Sequence, residues 1–419
     1  MIKLLHIAIA ASLICTSFAS KSQCESGRYR DIIFTELDIV NDVTYGNNLS
    51  YNGAAADLKM DVYMPSGDLE ELRPLVIFLH GGFFVTGDKS GTEVVPACQD
   101  LAKMGYVTAS INYRLGVTAQ LELAQPMAEA VLRSVQDVKA AIRFFRKDVA
   151  ENGNSYRVNT DQIFIAGVSA GGFATLHAAY MQDDEIAPIV DQSGNGLAGG
   201  AEGESGNPGY SSDFLGVISI AGAIGDTTWI EAGDKPACLA HGTGDTVVPF
   251  DSDMLIIGGF LEVSEVDGSN SIDQKLSELG VEHCFEIYEG QGHVPSDEST
   301  AYYDTTLSII SNFLSHFVCA IDLDCSYREI AAGVELAPDF KPVLIYPNPA
   351  GDFATLHLPV ASTGILQVFN TSGQLVFSSN IKGELNPQLD LRNLPNGLYQ
   401  VRFCAETMIT YTSHFISQH

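Results

Sequence analysis

Positive charge is scarce in this chain. Its 419 residues hold 22 Lys and Arg against 52 Asp and Glu, a formal net charge of −30. So few cations argue against a nucleic-acid or anionic-membrane partner, since both need a basic surface. The CxxC and Cys/His spacings that hold zinc are also missing, so no metal site is expected. Beyond the N-terminus no apolar run approaches the ~20 residues of a membrane span, so no stable membrane insertion is expected. What is present is core material. Hydrophobic residues make up 46% and charged residues 18%, which is the balance of a folded chain and not of a disordered one.

The length suits one large domain and a smaller one. Residues 343–419 carry Lys382, Arg392 and Arg402 against Asp352, Glu384, Asp390 and Glu406, a net of −1, so residues 1–342 hold the other −29. That break supports a boundary near residue 340. Lys3, the apolar run from Leu4 to Ile14 and the small-x-small end Ser17-Phe18-Ala19 read as a secretory signal over residues 1–20. Export brings oxidising conditions, so some of the eight cysteines are expected to pair. Cys319 and Cys325, six apart, stand where a clip would fasten the edge of the large domain.

Between residues 24 and 318 short apolar runs alternate with helical patterns. Leu58–Met64, Leu75–Leu79, Val107–Ile111, Ile163–Val168, Val217–Ala221, Ala237–Ala240 and Cys284–Tyr288 read as strands. Helical patterns fall at Val94–Met104, Ala128–Val149, Ala170–Met181, Ile272–Leu279 and Ala301–Phe317. This alternation predicts an α/β fold with a mostly parallel sheet covered on both faces. A Gly-rich insertion over 182–213 reads as a mobile lid or substrate-facing loop. Residues 319–342 read as a linker. From residue 343 the helical period stops, and short strand-like runs separated by Thr371-Ser372-Gly373 and Leu394-Pro395-Asn396-Gly397 predict a small all-β sandwich.

Gly167-Val168-Ser169-Ala170-Gly171-Gly172 joins a buried strand to a helix. Acyl transfer needs a hydroxyl held on such a sharp turn, with glycines that let the backbones close in. A serine also needs a base, and His293 stands in a loop just beyond the last strand. Asp245, in Gly242-Thr243-Gly244-Asp245, follows the preceding strand and can orient an imidazole. Ser169, Asp245 and His293 are therefore the expected catalytic residues, each after a strand. His241 lacks such a setting and reads as a histidine ahead of a loop glycine. His80-Gly81-Gly82-Phe83-Phe84 follows the strand Leu75–Leu79. Its backbone N–H groups at Gly82 and Phe83, with that of Ala170, are the expected oxyanion donors. Phe83 and Phe84 are expected to line the substrate pocket, and His80 to be a structural hydrogen-bonder.

These motifs, together with Ser110-Ile111-Asn112-Tyr113-Arg114-Leu115, resemble the α/β-hydrolase esterases of the hormone-sensitive-lipase and carboxylesterase type. The resemblance implies carboxylic-ester hydrolysis through an acyl-serine, with no cofactor or metal and a small-molecule or polymeric ester as substrate. Phe83 stands where many relatives carry a third glycine, which is similar to the form found in feruloyl esterases and arylformamidases. The tail is similar to the C-terminal sorting domain of type IX secretion in Bacteroidetes, through Tyr346-Pro347-Asn348-Pro349-Ala350, Asn370-Thr371-Ser372-Gly373-Gln374 and Leu394-Pro395-Asn396-Gly397-Leu398-Tyr399. It implies the type IX machinery as partner and a secreted or cell-surface location. Aromatic, feruloyl or polyester substrates fit this reading. The alternatives are an amide hydrolase (a peptidase or arylformamidase) on the same residues, and a non-catalytic binding protein on the same fold.

Overall fold

Fully apolar runs such as Leu75-Val76-Ile77-Phe78-Leu79 have no polar face to turn to water, so they form strands covered on both sides. The computed structural model describes residues 24, 26–118, 122–257, 261–330, 340–370, 375–392, 394–405 and 410–418. The signal expected over 1–20, part of the linker and the Thr371-Ser372-Gly373 turn lie outside them. The chain divides into two compact units, Met1–Gly333 and Val334–His419.

In the first unit the strands are β1 (Leu37–Leu49), β2 (Ala55–Pro65), β3 (Arg73–Leu79), β4 (Val107–Ile111), β5 (Val158–Val168), β6 (Gly216–Ile220), β7 (Ala223–Ile224), β8 (Ala237–Gly242), β9 (Ser252–Ile257), β10 (Leu261–Gly268) and β11 (His283–Tyr288). The helices are α1 (Val95–Lys103), α2 (Ala124–Glu151), α3 (Ala170–Tyr180), α4 (Ser269–Leu279), α5 (Pro295–Glu298) and α6 (Thr300–Cys319). An eight-stranded sheet runs β1-β2-β4-β3-β5-β6-β8-β11. From β4 to β11 every pairing is parallel, while β1–β2 and β2–β4 are antiparallel. One apolar cluster on a face of the sheet gathers α2 and α3 side chains such as Val135, Ile142 and Leu176. The other gathers α1 and α6 side chains such as Leu101, Ile310 and Phe313. The fold is that of an α/β hydrolase, with every strand read from the sequence present. β1, β7, the β9–β10 ribbon and α5 were not foreseen. β1 is largely exposed along its length, β7 and α5 are only two and four residues long, and the ribbon mixes Asp, Glu and Ser with its apolar residues. Among the described residues no helix is long and apolar enough to cross a membrane.

The disulfides correct the expected clip. Cys319 pairs with Cys24 and Cys325 with Cys284. The segments around Cys24 and Cys325 both pack on the α1–α6 side of the sheet, and Arg328 reaches Asp31 at 2.6 Å. Docking of these two segments, from opposite ends of the first unit, decides the partners, and closeness in sequence does not. Closing the 41-residue separation of Cys284 and Cys325 removes about 4 kcal/mol of unfolded-chain entropy. Reduction should therefore lower the melting temperature of the first unit by at least about 5 °C in calorimetry. An unchanged transition would mean that neither bridge constrains the unfolded chain.

The second unit continues the strands as β12 (Phe340–Pro342), β13 (Leu344–Tyr346), β14 (Phe353–His357), β15 (Ser362–Phe369), β16 (Leu375–Glu384), β17 (Gln388–Asp390), β18 (Gly397–Ala405) and β19 (Thr410–Ser417). They form a five-stranded sheet, β12-β19-β18-β15-β16, and a three-stranded one, β13-β14-β17. Alternate residues turn inward: Leu366 and Val368, Val401 and Phe403, Leu356 and Leu389 share one core. This is the sandwich that the period-2 pattern implies.

The insertion over 182–213 splits into two parts. Its first part, Glu185 to Val190, lines the large cavity described below. Its Gly-rich part is pinned and departs from the expected mobile lid. Arg114 donates to the carbonyl oxygen of Gly196 at 2.7 Å and to Ser205 Oγ at 3.0 Å. Gln136 donates to the carbonyl oxygens of Leu197 and Gly200, and Arg143 to those of Glu202 and Gly206. Leu197, Ala201 and Ser205 are buried. Gly203 sits at φ 63°, where a Cβ would fall 2.3 Å from Gln136 Cγ. The segment has few apolar residues, and what holds it is mostly polar and directed at its backbone.

Candidate active site

The turn from β5 into α3 is tight because α3 presses against the sheet. A Cβ on Gly171 would lie 2.2 Å from the carbonyl oxygen of Leu79, so only glycine allows the approach. Ser169 takes φ 53° and ψ −116° at the N-cap of α3, a strained conformation for a residue with a Cβ. It stands at the positive end of the helix, before the first N–H groups.

His293 Nε2 lies 2.9 Å from Ser169 Oγ, and His293 Nδ1 lies 2.6 Å from Asp245 Oδ2. The structure thus brings together the three residues picked out from the sequence. A carboxylate oxygen only accepts, so Nδ1 carries the proton and Nε2 faces the serine hydroxyl as an acceptor. The Asp245 side chain is fully buried, whereas that of His293 keeps 21% of its surface. Asp245 Oδ1 accepts from the backbone N–H groups of Val247 and Val248 at 2.7 and 3.0 Å. Burial alone would raise the pKa of Asp245. Hydrogen bonds from His241 and His293 outweigh it and hold the carboxyl well below the ordinary carboxylate range.

His241 is the residue that the sequence reading missed. It is fully buried, and its Nε2 donates to Asp245 Oδ2 at 3.1 Å while its Nδ1 accepts from Ser269 Oγ at 2.8 Å. Asp245 Oδ2 therefore receives two imidazoles. The usable signal was present, because His241 closes the buried strand β8 four residues before the aspartate.

The His80–Phe84 loop lies against the serine, since a Cβ on Gly81 would sit 3.4 Å from Ser169 Cβ. Gly82, Phe83 and Phe84 all have positive φ, at 111°, 55° and 60°. Two bulky residues in that region are costly, and a run of such residues can turn its N–H groups into a concavity for an anion. Among the described residues the N–H groups of Gly82, Phe83 and Ala170 have no acceptor. They are free to serve as oxyanion donors. His80 instead braces the loop, with Nδ1 at 2.6 Å from the Gly81 carbonyl oxygen and its ring stacked on Tyr113 at 4.4 Å.

A cavity of about 280 Å³ opens beside Ser169. Phe83, Phe84, Met127, Val131, Phe173 and Trp229 supply much of its wall, and Leu255 and Val263 of the β9–β10 ribbon close one side. His177 is buried in that wall, and burial pushes its pKa down to about 4. The sign follows from the order of protonation. As pH falls through the ~6.5 of an unfolded histidine, only the unfolded chain binds the proton, until the folded one joins near 4. Stability is therefore full above 6.5 and falls across 6.5 to 4, by about 2 kcal/mol between pH 7 and 5. His177→Gln should remove that part of the loss in urea titrations at the two pH values, and an equal loss in both proteins would contradict it.

Comparison with known proteins agrees with the two-part reading. Residues 60–198 match the family model described as BD-FAE, and residues 344–418 match that of the secretion system C-terminal sorting domain. The tail thus carries the mark of a secreted or cell-surface protein. Esterase LipI of Mycobacterium tuberculosis is 30% identical over 171 residues, covering 39% of this chain and 47% of that protein. Juvenile hormone esterase of Tribolium castaneum is 28% identical over 132 residues, covering 31% of this chain and 21% of its own. The chain spans less than half the length of these relatives. A solved esterase from Thermogutta terrifontis superposes with a TM-score of 0.47 at 22% identity, over 66% of this chain and 94% of that one.

Proposed function

We propose that this protein is a secreted serine esterase that cleaves carboxylic esters through an acyl-serine, with Ser169 as nucleophile, His293 as base and Asp245 as its orienter. One observation carries the reading: the unbroken hydrogen-bond chain from Asp245 through His293 to Ser169, at the mouth of an apolar cavity. As Ser169 Oγ bonds to the carbonyl carbon, its proton passes to His293 Nε2. Buried Asp245, ionised and held by four donors, stabilises the imidazolium that forms. The negative charge gathers on the carbonyl oxygen, where the N–H groups of Gly82, Phe83 and Ala170 and the α3 terminus oppose it. The alcohol leaves with the proton from His293, and water repeats the sequence to release the acid. The predominantly apolar wall supports an uncharged, hydrophobic ester as substrate, aromatic esters and polyester segments included. The sorting tail supports delivery to the cell surface by the type IX machinery.

The purified protein should hydrolyse p-nitrophenyl and aryl esters, and a fluorophosphonate should label it at Ser169, read by peptide mass spectrometry. Peptide amides and formanilides in the same panel address the amidase alternative. Inertness toward every ester, with Ser169 unlabelled, would sink the esterase reading.

A further inference from the structure

Phe173 and His177 stand one turn apart on α3, and both line the cavity that opens at Ser169. His177 is 7% exposed. Its Nδ1 lies 2.8 Å from the carbonyl oxygen of Phe173, one turn back along the helix. A carbonyl oxygen accepts only, so Nδ1 carries the ring proton and Nε2 is left with a lone pair. Among the described residues Nε2 has no hydrogen-bond partner. Aromatic neighbours fix the ring itself, since Phe173 stacks on it and Trp229 meets it edge-on at 5.6 Å. With its pKa pushed down to about 4 by burial, the ring stays neutral at any ordinary pH.

The cavity wall as a whole is predominantly apolar, with Met127, Val131, Met181 and Val190 among its residues; it includes Glu185 and Glu265 and holds no lysine or arginine. His177 Nε2 is not sealed off and can be reached from the cavity, so a ligand that covers it must supply a donor or bear the cost of the lost hydrogen bond. A carboxylate arm would find no cation here. A hydroxyl is the smallest uncharged group that offers a donor and that an ester arm commonly carries; an amide N–H is the bulkier alternative.

We infer that His177 determines specificity by accepting a hydrogen bond from a hydroxyl at the far end of an uncharged ester arm that runs along α3 from Ser169. Eight residues of helix separate the two positions, about 12 Å between Cα atoms. The His177 ring leans back toward Ser169 through its bond to Phe173, which shortens the span to that of an arm of about six carbons or one carrying a ring. A site built around such an acceptor discriminates sharply, because an arm ending in a methyl group strips Nε2 of water and returns nothing. This inference rests on the esterase reading for its kinetics, but the binding it describes does not.

The test uses two matched pairs: methyl 6-hydroxyhexanoate against methyl hexanoate for the acyl side, and 6-hydroxyhexyl acetate against hexyl acetate for the alcohol side. An apolar cavity without a partner favours the parent ester, because the hydroxyl loses its water. Wild-type enzyme should instead favour the hydroxylated ester in one pair by at least about fivefold in kcat/KM. His177→Phe should reverse that preference, the readout being the ratio of kcat/KM within each pair. His177→Gln, which keeps an acceptor, should retain part of it, and circular dichroism melts establish that both variants fold. Calorimetric binding of the same esters to the full-length Ser169→Ala protein gives a readout without turnover. There the hydroxylated ester should bind more tightly, and His177→Phe in that background should abolish the difference. A ratio in favour of the parent in both wild-type pairs, or a hydroxyl preference that survives in His177→Phe, overturns the inference. If no ester is turned over at all, the esterase reading fails and the binding measurements decide the role of His177 alone.

Discussion

Ser169→Ala should lower kcat for a p-nitrophenyl ester by on the order of 10⁶, the cost of removing a triad serine where it acts as a unit with its base. The alanine methyl cannot attack, and no other hydroxyl of the cavity wall stands against His293 Nε2. The rest of the site stays in place. Phe83, Phe173 and Trp229 still wall the cavity, and the N–H groups proposed as oxyanion donors belong to the backbone. The affinity for an inert ester analogue should therefore change by less than about threefold, as measured by calorimetry. Retention of more than about a hundredth of wild-type kcat would place the chemistry on a different residue. The variant serves as its own control for folding, since Ser169 contributes little apolar burial and its melting temperature should match wild type within a few degrees.

Asp245→Asn should cost about 10⁴ in kcat, and the local geometry says why. Oδ1 accepts from the N–H groups of Val247 and Val248. An asparagine must keep its carbonyl oxygen there, because its NH₂ would meet two donors. The NH₂ then falls at the Oδ2 position, facing His293 Nδ1 and His241 Nε2. Nδ1 of His293 must turn acceptor, so the proton moves to Nε2. That nitrogen can no longer take the proton of Ser169. His241 has to shed its Nε2 proton as well, against the hydroxyl of Ser269 on its other side. Measured kcat/KM at pH 8 across an ester series should fall uniformly, because the loss lies in the proton transfer and not in binding. A loss below about tenfold would show that Asp245 does not set the tautomer.

Much of this architecture was legible before any coordinates. Runs such as Leu75–Leu79 and Ile163–Val168 are apolar on every residue, which leaves a strand buried on both faces as their only comfortable state. The glycines around Ser169 marked the turn where helix and sheet had to meet closely, and the chain order of Ser169, Asp245 and His293 placed each at a strand's carboxyl end. The start of the β-rich tail showed as a loss of the helical period together with a change in charge. These are local signals, carried by neighbours a few residues apart.

The remainder depends on which distant segments touch. Cys319 has a cysteine six residues away and bonds to one 295 residues away, because the docking of the segments around Cys24 and Cys325, not their spacing, sets the distance between sulfurs. The glycine-rich half of 182–213 looks loose in sequence, yet Arg114, Gln136 and Arg143 supply it with partners from elsewhere in the fold. β9 and β10 mix apolar with acidic and serine residues, and nothing in their sequence says that Leu255 and the stretch Val263–Val266 meet the cavity. His241 and His177 show the limit most clearly. For each, what the two ring nitrogens meet is set by residues packed around it, and neighbours in sequence do not announce it. Composition, periodicity and turn chemistry determined the fold class, the two units and the three residues of the hydrogen-bonded chain, because short-range sterics and patterned burial dictate them. The pairing of sulfurs, the second imidazole on Asp245 and the shape of the cavity were decided only in the tertiary structure, where desolvation and hydrogen-bond geometry between remote residues take over.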